Sequence, residues 1–296
     1  MTRRGLLLFA AMSAIWGVPY LLISVAVDHL AVPVVVAGRT GIAAIVLVPL
    51  AHHRGVLVPA MRRWRPVLAF TALEMAGPWL LLTDAEKKLP SSLAGLLVAC
   101  VPMVAAVAAF GLGERSALKP SRLLGIAVGM AGVAFVVGVG REGGGGAWSI
   151  VEVLLVCVGY ALAPFILDRR LGDVPSLGVV ALSLGIVAVL YLPFAVALRP
   201  DGWPPASSTW AVIGLAVLCT GIAFLVFFAL IAEVGPQRAT LITFVNPAVA
   251  VVLGITVRDE PLGAGLVIGF PLVLLGCWLS ARAPRSEKEA IVAVSA

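Results

Sequence analysis

Long apolar runs separated by short polar breaks fill the chain from end to end. Ten of them are long enough to read as membrane-spanning helices, because about 20 apolar residues cross the hydrocarbon core of a bilayer. They cover residues 5–27, 30–51, 66–83, 89–113, 123–140, 148–167, 174–198, 210–232, 239–257 and 261–281. Several contain Gly and Pro, which membrane helices tolerate better than soluble ones. Strict alternation of polar and apolar positions, the mark of a transmembrane β-barrel, is missing. The polar breaks are too short to form a soluble domain. Thr2-Arg3-Arg4 before the first run imitates a secretory leader. That run is too long for a leader core and nine more follow, so it reads as an uncleaved first helix. The predicted fold is an all-α membrane protein.

Composition removes the competing classes. Of 296 residues, 61% are hydrophobic and 12% charged, and the mean hydropathy is +1.10. A soluble domain carries about 25% charged residues, so a soluble enzyme, a nucleic-acid binder and a disordered scaffold are all excluded. The net charge of +6 implies no nucleic-acid partner, because the basic residues sit in short loops. Their distribution orients the chain. With the N-terminus in the cytoplasm, fifteen Lys and Arg fall in inside segments and five outside, with Arg39 left within a span. Cytoplasmic loops carry this excess, so both termini are expected in the cytoplasm and the bilayer is the first partner.

The chain also repeats itself. Residues 41–51 read GIAAIVLVPLA and residues 185–195 read GIVAVLYLPFA, with five of eleven positions identical at an offset of 144. At offsets of 144 or 145, Pro102 meets Pro247, and Gly125 and Gly132 meet Gly269 and Gly276. Each half holds five runs, and an odd number forces the second half to enter the membrane in the opposite sense. Inverted repeats of this kind build secondary transporters with a site between the halves. The expected division is a first repeat over 1–142, a Gly-rich join over 143–147, a second repeat over 148–283 and a cytoplasmic tail over 284–296.

This layout resembles the EamA family of the drug/metabolite transporter superfamily along nearly the whole chain. The resemblance rests on Trp16-Gly17, on Arg39, and on the stretch from Ser91 to Pro102 that leads to Gly113-Glu114. Asn246-Pro247, leading to Asp259-Glu260, is the second-half counterpart. The resemblance implies efflux or exchange of a small molecule by alternating access in an inner membrane. It places helices one, three, four, six, eight and nine around a cavity. The chain departs from the family at Gly159-Tyr160, where a Trp-containing start is usual.

Individual residues suggest how such a site would be furnished. Glu74 lies nine residues beyond Arg65, about 13 Å along a helix at 1.5 Å per residue and so near the bilayer centre. A carboxylate there is costly and normally faces a wet cavity. It reads as a proton-coupling or cation-contacting group, or as a neutral side chain hydrogen-bonded to a neighbouring helix. Arg39 cannot lose its proton; it meets an anionic substrate group, or pairs with Glu74 or helix carbonyls. Trp16, Gly17, Pro19 and Tyr20 combine a bend with rings that could stack on a planar ligand, or that merely pack. Pro102 and Pro247 break equivalent helices and read as hinges, with Thr243 and Asn246 adding polar groups beside the second. Given the resemblance, Trp79, Tyr160 and Pro164 join them as lining and hinge candidates. Gly125, Gly129 and Gly132, with Gly265 and Gly269, suit close helix packing within one chain or across a dimer, so the chain is a monomer or homodimer. Glu114, Asp259 and Glu260 read as helix ends that reach water.

The remaining chemistry is sparse. Cys100, Cys157, Cys219 and Cys277 lie in four separate runs, and His29, His52 and His53 sit at run ends. No metal site and no cofactor follow from them. HExxH, GxxxxGK[ST] and GxSxG are all missing from the sequence, which argues against an enzyme or a self-energised pump. The sequence therefore describes a secondary transporter of a small metabolite or drug, with protons as a candidate coupling ion. An uncoupled facilitator or exchanger of the same fold is the first alternative. A non-transport membrane enzyme or assembly factor is the second.

Overall fold

A computed structural model describes residues 1–111, 120–139 and 146–281. Glu114, Gly143 to Gly145 of the join and the tail from 284 lie outside the described residues. All the described elements are helical, as they must be where no water can satisfy a backbone group. Ten long ones follow in order: α1 Arg3–Val27, α2 Val32–His53, α3 Trp64–Ala85, α4 Ser91–Gly111, α5 Pro120–Val139, α6 Ala147–Leu171, α7 Ser176–Ala197, α8 Ala206–Val234, α9 Thr240–Arg258 and α10 Ala264–Ala281. Eight are long and apolar enough to cross a membrane, while α5 and α10 contain shorter apolar stretches, Leu123–Val136 and Ala264–Ser280. Observed ends fall within about four residues of the predicted ones, the usual spread for frayed termini.

Helices of the first half pack mainly on helices of the second. Contacts between the halves pair α2 with α7, α4 with α9 and α5 with α10; α1 lies against α8, and α3 against α6. The last two pairs are equivalent under exchange of halves, and the first three map onto themselves. The α5–α10 crossing depends on glycine: a Cβ on Gly276 would strike the backbone of Gly129, and one on Gly125 would lie 2.6 Å from Ser280. The Gly125, Gly129, Gly132 and Gly269 face is thus consumed inside one chain. Large apolar side chains such as Ile45, Val189, Leu7 and Trp210 point outward, as lipid-facing positions should.

Several helices are interrupted, each with a local cause. Pro19 restarts α1 after Gly17, Pro102 restarts α4 after Ala99 and Cys100, and Pro247 restarts α9 after a 3-10 turn over Thr240–Phe244. Each Pro sits where the missing N–H is least costly, in the first turn of the new segment. Pro164 behaves differently, because α6 runs through it unbroken. α3 and α8 each contain a π-helical segment, Ala72–Ala76 and Val217–Ile222, again about 145 residues apart. Such segments often accompany functional sites.

The two ends of the bundle are tied differently. At one end, the Thr2 hydroxyl donates to Glu233 at 2.6 Å and Arg63 pairs with Asp173 at 2.6 Å, both on the exposed surface. At the other, Arg258 grips Asp28 with two bonds of 2.9 and 3.2 Å, and His29 meets Ser208 at 3.2 Å. Here Glu260 also accepts from the Ser91 amide and hydroxyl and the Ser92 amide at 2.7, 2.8 and 3.0 Å. Glu260 therefore caps the start of α4, a better role for a carboxylate than the solvated helix end that the sequence suggests.

Candidate functional site

The polar centre of the bundle forms around Arg39. Its position on α2 is 8% exposed, so the guanidinium must be satisfied internally. Its Nε donates to Thr220 Oγ1 at 2.9 Å, and its central carbon lies 3.7 Å above the Trp79 ring. Thr220 belongs to the π-helical segment of α8 and donates in turn to the Leu215 carbonyl at 2.8 Å. The local irregularity thus leaves a carbonyl for the hydroxyl and turns its oxygen toward Arg39. The other π-helical segment, in α3, is supported by the Tyr191 hydroxyl, which donates to the Ala76 carbonyl at 3.0 Å. Arg39 and Glu74 form no ion pair; both terminal guanidinium nitrogens lack a protein partner among the described residues.

Aromatic and acidic groups complete this centre. Tyr20 from α1, Tyr160 from α6 and Glu86, one residue past α3, all lie within electrostatic reach of Arg39. Tyr160 also faces Trp79 and Glu74. It reaches them because Gly159 lets α6 press against the π-helical segment of α3, where a Cβ would collide with the Leu73 carbonyl. The Gly159-Tyr160 departure therefore has a steric basis. Glu74 itself is half-buried on that segment and makes no hydrogen bond or ion pair among the described residues.

Other candidates lie around this centre rather than in it. Trp16 packs on Phe227 at 4.7 Å and edge-on to Phe224 at 6.2 Å, within an apolar cluster of α1 and α8. Gly17 permits the close crossing of α1 over α9, where a Cβ would collide with Val249 and lie 2.9 Å from the Asn246 carbonyl. With its amide oriented to satisfy both neighbours, Asn246 donates to the Ile242 and Ser13 carbonyls at 2.9 and 3.0 Å, tying α1 to the break in α9. Thr243 spends its hydroxyl on the Thr240 carbonyl at 2.8 Å.

Two cysteines do more than fill space. At the break in α4, the Cys157 thiol donates to the Leu97 carbonyl at 3.4 Å and the Cys277 thiol to the Ala99 carbonyl at 2.8 Å. Glu86 and Thr220 are absent from the sequence reading, which treats the cysteines only as separate residues in four runs. Glu86 is hidden there by the adjacent Lys87-Lys88, which read as an exposed loop. Tyr20, Arg39, Trp79 and Glu86 are all under 9% exposed, so the centre is closed to bulk solvent in this conformation. Surface hollows of about 430 and 360 Å³ lie elsewhere, beside Arg62, Arg63 and Asp173 and along α2 near Gly38.

Similar proteins give this geometry a context. The model of the EamA-like transporter family matches residues 3–138 and again 147–282. The chain is 28% identical over 292 residues to the uncharacterized inner membrane transporter YedA of Escherichia coli (strain K12), covering 94% of each protein. It is 26% identical over 250 residues to the aromatic amino acid exporter YddG of Ancylobacter novellus, covering 81% of this chain and 82% of that one. A solved crystal structure at 22% identity shares the fold, with a TM-score of 0.65 over 95% of this chain and 97% of the other.

Proposed function

Because the chain belongs to the EamA-like transporter family, a family of membrane proteins, we propose that it exports or exchanges a small amphipathic metabolite by alternating access across an inner membrane. The observation that carries this reading is the central cluster of Arg39, Trp79, Tyr20, Tyr160 and Thr220. It is drawn from both halves, buried, and incompletely satisfied by the protein itself. Rings offer apolar faces to a planar solute and Arg39 offers a fixed positive charge, the combination of apolar walls and few polar groups that defines small-molecule sites.

We read the ten helices as ten crossings in two inverted five-helix halves, with both termini cytoplasmic. The symmetric helix pairing and the spacing of the π-helical segments support this reading. In it, the breaks at Pro19, Pro102 and Pro247 are hinges about which the halves rock. Trp16, Gly17, Thr243 and Asn246 shape the site from its margin. Glu74 is the proton-coupling group, supported by its depth and its lack of a protein partner. Aromatic amino acids are the first solutes to test, since one relative exports them.

Efflux from loaded cells, with and without a protonophore, tests the reading. Coupled export slows when the proton gradient collapses, and Glu74→Gln removes that dependence. If Glu74→Gln retains gradient-dependent export at the original rate, Glu74 has no coupling role. Export indifferent to the gradient in the parent chain marks a facilitator of the same fold. Ligand turnover without solute movement would overturn transport altogether.

A further inference from the structure

Glu86 is 5% exposed, and neither carboxylate oxygen meets a side-chain hydrogen-bond donor among the described residues, only the Ser24 backbone amide approaching it. Leaving a buried carboxylate unpaired is costly unless it is protonated or met by a cation. It shares its surroundings with Tyr20 and Ser24 of α1, Arg39 of α2 and Glu260 beyond α9. Glu260 cannot satisfy it, being itself an acceptor already held by Ser91 and Ser92. Arg39 does not pair with it either, since its one hydrogen bond goes to Thr220. The centre therefore holds a buried cation and a buried carboxyl group that sense each other without forming an ion pair, with Tyr20 in reach of both.

A guanidinium with free terminal nitrogens and a separate carboxyl that can ionise beside an incoming cation together complement a zwitterion. We propose that Glu86 recognises the ammonium group of the transported solute, while Arg39 takes its carboxylate. This rests on the transport reading but is independent of Glu74: it concerns which solutes bind, not what drives them. Burial and the nearby Glu260 hold the Glu86 carboxyl well above the ordinary carboxylate range, and Arg39 opposes that effect. An arriving ammonium group would favour the ionised form in the same way.

The test uses the purified full-length chain and four indole probes. Tryptophan carries both charges, tryptamine only the amine, N-acetyltryptophan only the acid, and indole-3-propionate the acid without nitrogen on the side chain. Dissociation constants are measured for the parent chain, Glu86→Gln, Glu86→Asp and Arg39→Gln, each checked for a monodisperse fold. In the parent chain, tryptophan binds more tightly than N-acetyltryptophan. Glu86→Gln weakens tryptophan and tryptamine about 10- to 100-fold, the range of a lost charge-assisted bond, and leaves the two acids unchanged. Glu86→Asp keeps part of the preference, and Arg39→Gln weakens the acids instead. The proposal is overturned if Glu86→Gln lowers all four affinities equally or none. Should the Gln variant not fold, the parent chain decides: equal binding of tryptophan and N-acetyltryptophan overturns it. Failure of all four probes to bind overturns the proposal together with its premise for this solute class, a result distinct from binding that ignores Glu86.

Discussion

At the residue scale, the chain concentrates its polar cost in a few positions. Arg39 is held by a hydrogen bond from Nε and by stacking on Trp79, and lysine offers neither planar geometry nor an equivalent donor. Arg39→Lys is therefore expected to lose most transport while still folding. Thr220→Val leaves Nε unsatisfied and should cost about 1–3 kcal/mol, read as a lower melting temperature in detergent; an unchanged value would mean that water replaces the hydroxyl. Glu86 yields a pH test. Its carboxyl titrates above the ordinary range in the folded chain, so the folded state binds the extra proton. Stability is then greatest below the unfolded value near 4.3 and declines as pH rises toward the folded one. Against the parent chain, Glu86→Gln should gain relative stability as pH rises above the unfolded value, and a difference that does not change with pH would contradict the burial. Arg39 and Glu74 were legible because charge within an apolar run stands out. Glu86 was not, because nothing local distinguishes a buried carboxylate from a solvated neighbour of Lys87.

At the element scale, apolar periodicity predicts where helices run but not where they are irregular. The breaks at Pro19, Pro102 and Pro247 were legible from proline chemistry. Pro164 carries the same signal without a break, since neighbouring helices can satisfy the freed carbonyl. The π-helical segments at Ala72–Ala76 and Val217–Ile222 contain no sequence mark at all. Both meet distant groups, Tyr191 donating to the Ala76 carbonyl of one and Arg39 donating to Thr220 within the other, and so depend on tertiary contacts. Glycine spacing proved more informative. Gly276→Val would force a side chain onto the Gly129 backbone, and overpacking of this kind typically costs about 1–3 kcal/mol. Gly138→Ala meets open space and should leave the melting temperature within experimental scatter. Since Ala and Val both favour the helix more than Gly does, a loss confined to Gly276→Val isolates the crossing, and an unchanged Gly276→Val would show that the crossing tolerates a side chain.

At the scale of the whole molecule, the decisive question is how the two family repeats sit relative to each other. The offset of 145 makes Arg62 and Ser207 equivalent positions, Arg62 on the connection between α2 and α3 and Ser207 in the first turn of α8, just past the connection from α7. Parallel repeats would place both on one side of the membrane; inverted repeats place them on opposite sides. Contacts at the bundle ends favour the second arrangement. His29, which meets Ser208, precedes α2, whereas Arg63, which pairs with Asp173, follows it, so the two contacts flank that helix from opposite ends. The four native cysteines are buried, so single cysteines introduced at the surface can be labelled against a quiet background. Ser207→Cys is expected to react with an impermeant maleimide in intact cells, and Arg62→Cys only once the membrane is opened. Reaction of both from the same side would rule out inversion, and with it the rocking of two opposed halves. The opposite pattern, Arg62 outside and Ser207 inside, would keep the inversion but reverse the orientation that the excess of Lys and Arg predicts. Because the charge bias and the helix parity are independent properties of the sequence, this one pair of variants tests both at once.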